Sequence, residues 1–272
     1  MSVAPLRASP TLNLCISMPR LSLLLVGPLL VASPPALASQ TTPWISRHQN
    51  AQWLGAFVDQ PLRARWSLWF DGQWRRLDLG QQPQQLLIRP GVQFTLANGV
   101  RLGAGYGFVA TAPHGALPIA NPTREHRSWQ QLSLTQKAGA LTISHRYRLE
   151  QRWLTAVLPD TPRGEPASAP TTYANRTRYL GRVQGPLVGL QLRRRPLQAF
   201  VWDEVLMPIG GGGARLQVTQ NRAAIGIGLP LDARQRVEIG YMNLWNAFAA
   251  RRANEVNHTL TLSWVLSPPP RN

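Results

Sequence analysis

Two segments concentrate residues that could do chemistry. In Glu125-His126-Arg127-Ser128-Trp129 and in Arg146-Tyr147-Arg148-Leu149-Glu150-Gln151-Arg152-Trp153, charged residues recur at every second position. Successive side chains of a strand point to opposite faces, so Glu125 and Arg127 share one face, and Arg146, Arg148, Glu150 and Arg152 share one face of the second segment. Paired as a hairpin, the segments bring their charges onto one wall. The set has two readings. As structure, it is a salt-bridge network filling a narrow interior, because buried charges must be paired and arginine forks onto carboxylates well. As function, it is a basic site or the lining of an anion-selective pore. The structural reading is the one that the mix of signs favours.

The other candidates are thinner. His126 and Ser128 lie on one face and could form a Ser–His pair of the kind found in outer-membrane lipid A deacylases. No carboxylate on that face completes it, and two polar residues at a lipid interface explain the pair as well. Ser144 and His145 are adjacent in a strand and point apart, which excludes a dyad. The five histidines have no metal-ligand spacing, so neither a metal nor another cofactor is expected, and no catalytic residue is assigned. Gly103-x-Gly105-x-Gly107 has no helix after it to cradle a phosphate and marks a place where bulky groups press close across the interior. The ten tryptophans fit aromatic girdles at strand ends.

These residues need elements to hold them, and period-two alternation supplies strands throughout the chain after residue 40. No stretch there has the run of about twenty apolar residues that a membrane-spanning helix requires. Val92, Phe94 and Leu96 alternate with Gln93 and Thr95, then Asn98-Gly99 signals a tight hairpin into Val100, Leu102, Ala104, Tyr106 and Phe108. Residues 124–136 and 140–153 make the next hairpin. Leu62, Ala64, Trp66, Leu68 and Phe70 alternate with Arg63, Arg65 and Ser67; Arg176, Arg178 and Arg182 share a face opposite Tyr179 and Val183. Later runs are Ile225–Leu229, Val237–Tyr241 and His258–Trp264. Proline-rich connections at 110–123 and 159–172, with Gly210–Gly213, interrupt the series. Lipid cannot accept Arg146, Arg148, Glu150 and Arg152, each costing roughly 2–4 kcal/mol near mid-membrane, so that face turns to a polar interior.

Composition narrows the setting. The formal charge is +17, nearly all from arginine, since Lys137 is the sole lysine. Such a charge suits nucleic acid, an anionic membrane surface or lipopolysaccharide phosphates. Apart from Arg193-Arg194-Arg195 the arginines are scattered among apolar residues, which speaks against a nucleic-acid-binding arm. Arg20, the apolar run Leu21–Leu30 and Ala36-Leu37-Ala38 form a secretory leader over residues 1–38, cut before Ser39. The single cysteine, Cys15, lies inside that leader, so thiolate chemistry and disulfides are excluded from residues 39–272.

Glu125-His126-Arg127-Ser128-Trp129-Gln130-Gln131 and Arg146–Trp153 resemble the bacterial family called domain of unknown function 2490, as do Leu87–Val92, Gly103–Tyr106 and Thr219–Arg222. The resemblance covers nearly all of residues 39–272 and implies an outer-membrane β-barrel without an established activity; it supplies no catalytic residue. The chain departs from the family pattern in its arginine excess and its long proline-rich loop. The expectation is an all-β fold: a single antiparallel transmembrane barrel of about 10–12 strands, an even number being the norm in bacteria. Its partners would be outer-membrane lipids, lipopolysaccharide among them, and not nucleic acid. A lipid hydrolase of the outer membrane and a soluble basic β protein are the competing functions, and oligomeric state is not legible.

Overall fold

A computed structural model describes residues 44–159, 167, 169–210 and 217–267. The expected leader and Cys15 lie outside the described residues, as do most of 159–172 and Gly211–Gly213. Eleven strands close into one barrel: β1 (Ile45–Pro61), β2 (Trp66–Leu77), β3 (Gln82–Ala97), β4 (Val100–Thr111), β5 (Thr123–Ala138), β6 (Leu141–Ala156), β7 (Thr172–Leu192), β8 (Arg195–Ile209), β9 (Gln220–Pro230), β10 (Gln235–Phe248) and β11 (Ala253–Leu266). The count is odd where the sequence favoured even. Sequential neighbours pair antiparallel, so β1 and β11 run the same way and close the barrel as a parallel pair. The start of β1 and the end of β11 consequently lie at opposite ends.

Hydrogen-bonded partners followed once around the barrel fix its stagger. The row from Pro61 passes through Ser67, Gln93, Gly103, Gln131, Arg148, Arg178, Leu206, Gln220, Asn246 and Glu255. It returns to β1 at Arg47, 14 positions before Pro61. With about 3.3 Å per residue and about 4.8 Å between strands, that stagger tilts the strands roughly 40° from the axis.

One end carries short turns. Leu62–Arg65, which continued the alternating run in the sequence, is a turn here: the Leu62 amide donates to Trp66 and the Trp66 amide to Arg63, and Ala64 has φ 54°. At Asn98-Gly99 the glycine takes φ 77° beside a register shift between Thr95 and Ala97. Asp232 accepts the Arg234 and Gln235 amides, at 2.7 and 2.8 Å, and these bonds hold its carboxyl below the usual aspartate range. The other end carries the loops. Residues 112–122 fold over it, fastened by Arg251, whose guanidinium donates to the Leu117 and Pro118 carbonyls.

The outward face is divided along the axis. Nearer the turns it is apolar: Leu54, Ala56 and Val58 on β1, Ile225 and Ile227 on β9, Ile239 and Tyr241 on β10, Leu260, Leu262 and Trp264 on β11. Nearer the loops the same faces take up polar residues, Asn50 and Gln52, Asn221, Asn243 and His258, with Trp245 and Val256 paired beyond them at the loop end of β10 and β11. Leu260 pairs with Tyr241, His258 with Asn243 and Leu262 with Leu54, so the change falls at one height.

Inside, Trp129 explains the glycine run of β4. The β3–β4 ladder skips Arg89 and Pro90, since proline has no N–H to donate. The Tyr106 carbonyl instead accepts from the Trp129 indole Nε1 at 3.1 Å. The ring then lies flat on Gly91 and Gly105, where an added Cβ would come within 2.3 and 2.5 Å of it. The bulky group is thus from the neighbouring strand and not from across the interior. Gly105→Ala, which also meets the Pro90 carbonyl, should lower stability in urea unfolding of the detergent-refolded barrel by about 1–3 kcal/mol. Gly103→Ala, with nothing nearer than 3.2 Å, should cost less than about 1 kcal/mol.

Candidate functional site: the charged interior

Alternation turns one side of every strand inward, and that side carries most of the charge. Glu125, Arg127, Arg146, Arg148, Glu150 and Arg152 all point into the barrel, from β5 and β6. Their pairing differs from a simple hairpin wall. Register sets Arg127 directly opposite Arg152, and the like charges are tolerated because Glu125 bridges both. Glu150, with no exposure, takes no arginine of its own strand. Its carboxylate reaches Arg176 at 2.5 Å and Arg178 at 2.8 Å on β7, Arg89 at 3.5 Å on β3 and Arg127 at 3.9 Å on β5.

From Glu150 the network extends across the interior. Arg178 also binds Glu204 of β8 at 2.7 Å, and Glu204 takes Arg146 at 2.7 Å and Arg222 of β9 at 3.1 Å. Arg89 binds Asp71 of β2. Asp71, Glu125, Glu150 and Glu204 thereby join arginines from β3, β5, β6, β7 and β9 into one septum. Glu238 with Arg182 and Arg236, and Asp59 with Arg101, form separate groups nearer the turns.

Two inward arginines lack carboxylates altogether among the described residues. Arg148 gives Nε and Nη2 to Gln131, at 3.0 and 2.6 Å, and sits between the rings of Trp69 and Trp129 at 4.9 and 4.8 Å. Its Nη1 is buried without a partner. Arg75 donates to Gln73 and Gln85 and stacks on Trp53 at 3.6 Å, with Arg222 over the same ring at 5.3 Å. Trp53, Trp69 and Trp129 therefore belong to the interior and not to girdles, because their rings hold the guanidinium groups, and Trp202 packs inside against the cluster of Trp53 and Met242. Trp66, Trp74, Trp153 and Trp264 do face outward.

The septum separates two chambers. A cavity of about 250 Å³ on the turn side is lined by Phe57, Arg182, Phe200 and Glu238, and one of about 260 Å³ on the loop side by Arg75, Arg127, Arg152 and Arg176. Trp53, Arg178 and Arg222 border both. The sequence pointed to β5 and β6 and noted Arg176 and Arg178, but missed Asp71, Arg89, Glu204 and Arg222. Their signal was the same alternation, diluted to one or two charges per strand.

On the outside, His126 and Ser128 do not meet. His126 Nδ1 is bonded to the Tyr106 hydroxyl at 2.5 Å, and Ser128 donates to Gln151 at 2.7 Å. Neither contact supplies a base oriented by a carboxylate, so this face does not assemble a hydrolase triad. Ser144 faces inward while His145 faces outward against the Tyr179 hydroxyl at 2.9 Å. No group of three metal-ligating side chains occurs among the described residues.

An all-β closed barrel whose apolar side chains face out and whose ion pairs face in defines the class of protein. The chain belongs to the family described as protein of unknown function DUF2490, whose model matches residues 50–255. An uncharacterised protein of Methylorubrum extorquens is 27% identical over 197 residues, which is 67% of this chain and 72% of that one. No solved structure matches.

The network predicts unequal costs for two buried glutamates. Glu150→Gln leaves four arginines short of a counter-charge and should cost roughly 3–5 kcal/mol in urea unfolding. Glu255, equally buried, contacts only Asn246 and Asn257 side chains, and Glu255→Gln should change stability by less than about 1 kcal/mol.

Proposed function

We propose that this protein is an outer-membrane β-barrel of a Gram-negative bacterium, exported with a leader at residues 1–38. Its interior is closed by the septum, so it serves as a structural or narrowly selective barrel and not as an open pore. One observation carries the reading: the inverted polarity of the wall, with isoleucine, leucine and valine exposed outside and Arg89, Arg148, Glu150 and Glu204 each at or below 2% exposure inside. A water-soluble barrel has the reverse arrangement. The outward apolar zone then meets hydrocarbon, and its aromatic edges, with Trp66 towards the turns and Tyr106, Tyr147, Tyr179 and Tyr241 at the polar boundary, meet headgroups. Lysine and arginine at the turns, among them Arg63, Lys137 and Arg194, suit lipid phosphates. The hydrolase alternative lacks its triad. The nucleic-acid alternative loses about half of the described arginines to the interior.

Cell fractionation should place the protein in the outer membrane with Ser39 as its first residue; recovery as a soluble periplasmic monomer would overturn the proposal. In planar bilayers the wild type should show no steady conductance, because the septum leaves no continuous path. Depth supplies a sharper check on β10. Ile239→Arg, inside the apolar zone, should cost about 2–4 kcal/mol of folding stability in lipid vesicles, and Asn243→Arg, four residues towards the loops, about 0–1 kcal/mol. Equal costs would remove the membrane from its assigned height.

A further inference from the structure

We infer that the loop-side chamber is a binding site for a phosphate-class oxyanion, either inorganic phosphate or the phosphoryl end of a small ester. Arg75, Arg127, Arg152, Arg176, Arg178 and Arg222 line it, and Glu125 is the one carboxylate on its wall. Glu150 and Glu204 reach Arg176, Arg178 and Arg222 from behind, and both are shared with arginines outside the chamber, Arg89 and Arg146. Six guanidinium groups thus draw on three carboxylates, and the chamber holds an uncompensated positive charge. A buried cation without a counter-charge is costly, and an anion seated among these groups removes that cost.

Two of the arginines are prepared for a ligand. Arg75 has no carboxylate; Gln73 and Gln85 orient it and Trp53 holds its plane from one side. Arg222 is held by Glu204 and Gln220, yet its Nε is buried with no acceptor, and the residue is 8% exposed. Both guanidinium groups sit over the same indole, so their donors are preorganised. Planar N–H forks of this kind match tetrahedral oxyanions. The volume of about 260 Å³ accepts a phosphoryl group with a small substituent and excludes a lipid or a polymer. His114 and Ile119 of the loop over this end complete the wall.

The site depends on the fold and not on where the barrel resides, so it is tested on protein refolded in detergent. Calorimetry with inorganic phosphate, and separately with glycerol 3-phosphate, should give one site per barrel. Melting temperature should rise in phosphate above that in sodium chloride at matched ionic strength. Arg75→Gln removes the cation without orphaning a carboxylate, since its partners are the neutral Gln73 and Gln85. It should weaken binding about tenfold or more while melting no lower than wild type without ligand. Arg148→Gln is the control: it also removes a buried cation lacking a carboxylate, but one that does not line this chamber, and should leave the affinity unchanged. Chloride acting as well as phosphate, unaltered affinity in Arg75→Gln, or equal loss in Arg148→Gln would each overturn the site. A soluble location in cells would overturn the membrane proposal and leave this result standing.

Discussion

The structure depends on keeping guanidinium groups charged inside a protein wall. An isolated ion moved from water to a dry interior loses far more solvation energy than one hydrogen bond returns, so each buried arginine needs a carboxylate, an amide oxygen or an aromatic face. Glu150 answers the largest share of this demand by serving four arginines from three strands. Arg178 then links it to Glu204, which serves three. Neighbouring strands are joined by the backbone ladder in any barrel; here side-chain bridges also join strands that do not touch, such as β3 with β6. The interior acts as a set of cross-links, and removing one shared carboxylate disturbs several strands together.

Packing makes room for those bridges. Three aromatic rings support arginines from below: Trp129 under Arg148, Phe200 under Arg182, and Trp53 under Arg75 and Arg222. Two of the rings in turn lie on glycine. Trp129 covers Gly91 and Gly105, and Phe200 covers Gly226 and Gly240, where an added Cβ would come within 2.5 and 3.2 Å of its Cζ. An eleven-stranded barrel is too narrow to stack wall side chain, ring and guanidinium at every level. Leaving out the wall side chain restores the space, which is a use of glycine unrelated to turns.

Sequence alternation carried the fold a long way. It predicted an all-β barrel, the hairpin through Asn98-Gly99 and the face that holds Arg146, Arg148, Glu150 and Arg152, because period two is a local property. Odd strand number was not local: β1 carries no mark of pairing with β11 until closure is considered. Ion-pair partners were hidden for the same reason. Glu150 has arginines two residues away on both sides, yet its carboxylate meets Arg176 and Arg178 on β7 instead, whereas Glu125 does bind Arg127 two residues along its own strand, so spacing within a strand does not decide the pairing. The tryptophans misled because Trp is as suited to carrying a guanidinium as to a lipid interface. The prolines at 110–123 mark only a break between strands, and nothing local to them shows that the Leu117 carbonyl is fastened by Arg251 from the β10–β11 connection, 134 residues distant.

The two sides of the wall change character at related heights. On β6, β7 and β9 the loop-side chamber's Arg152, Arg176 and Arg222 alternate with outward Gln151, Asn175 and Asn221, whereas nearer the turns the outward residues become Tyr147, Tyr179 and Ile225. Elsewhere around the chamber the outward residues are large and apolar or aromatic, with Trp74 beside Arg75, Leu86 beside Leu87 and Trp153 beside Arg152, so its outer surface is mixed and not uniformly apolar. A solute arriving from the loop end meets that charge first and the septum second. Closure by the septum and attraction by the chamber are thus compatible in one barrel: the carboxylates that block passage are drawn towards mid-barrel, and the arginines they leave unmatched face the loop end.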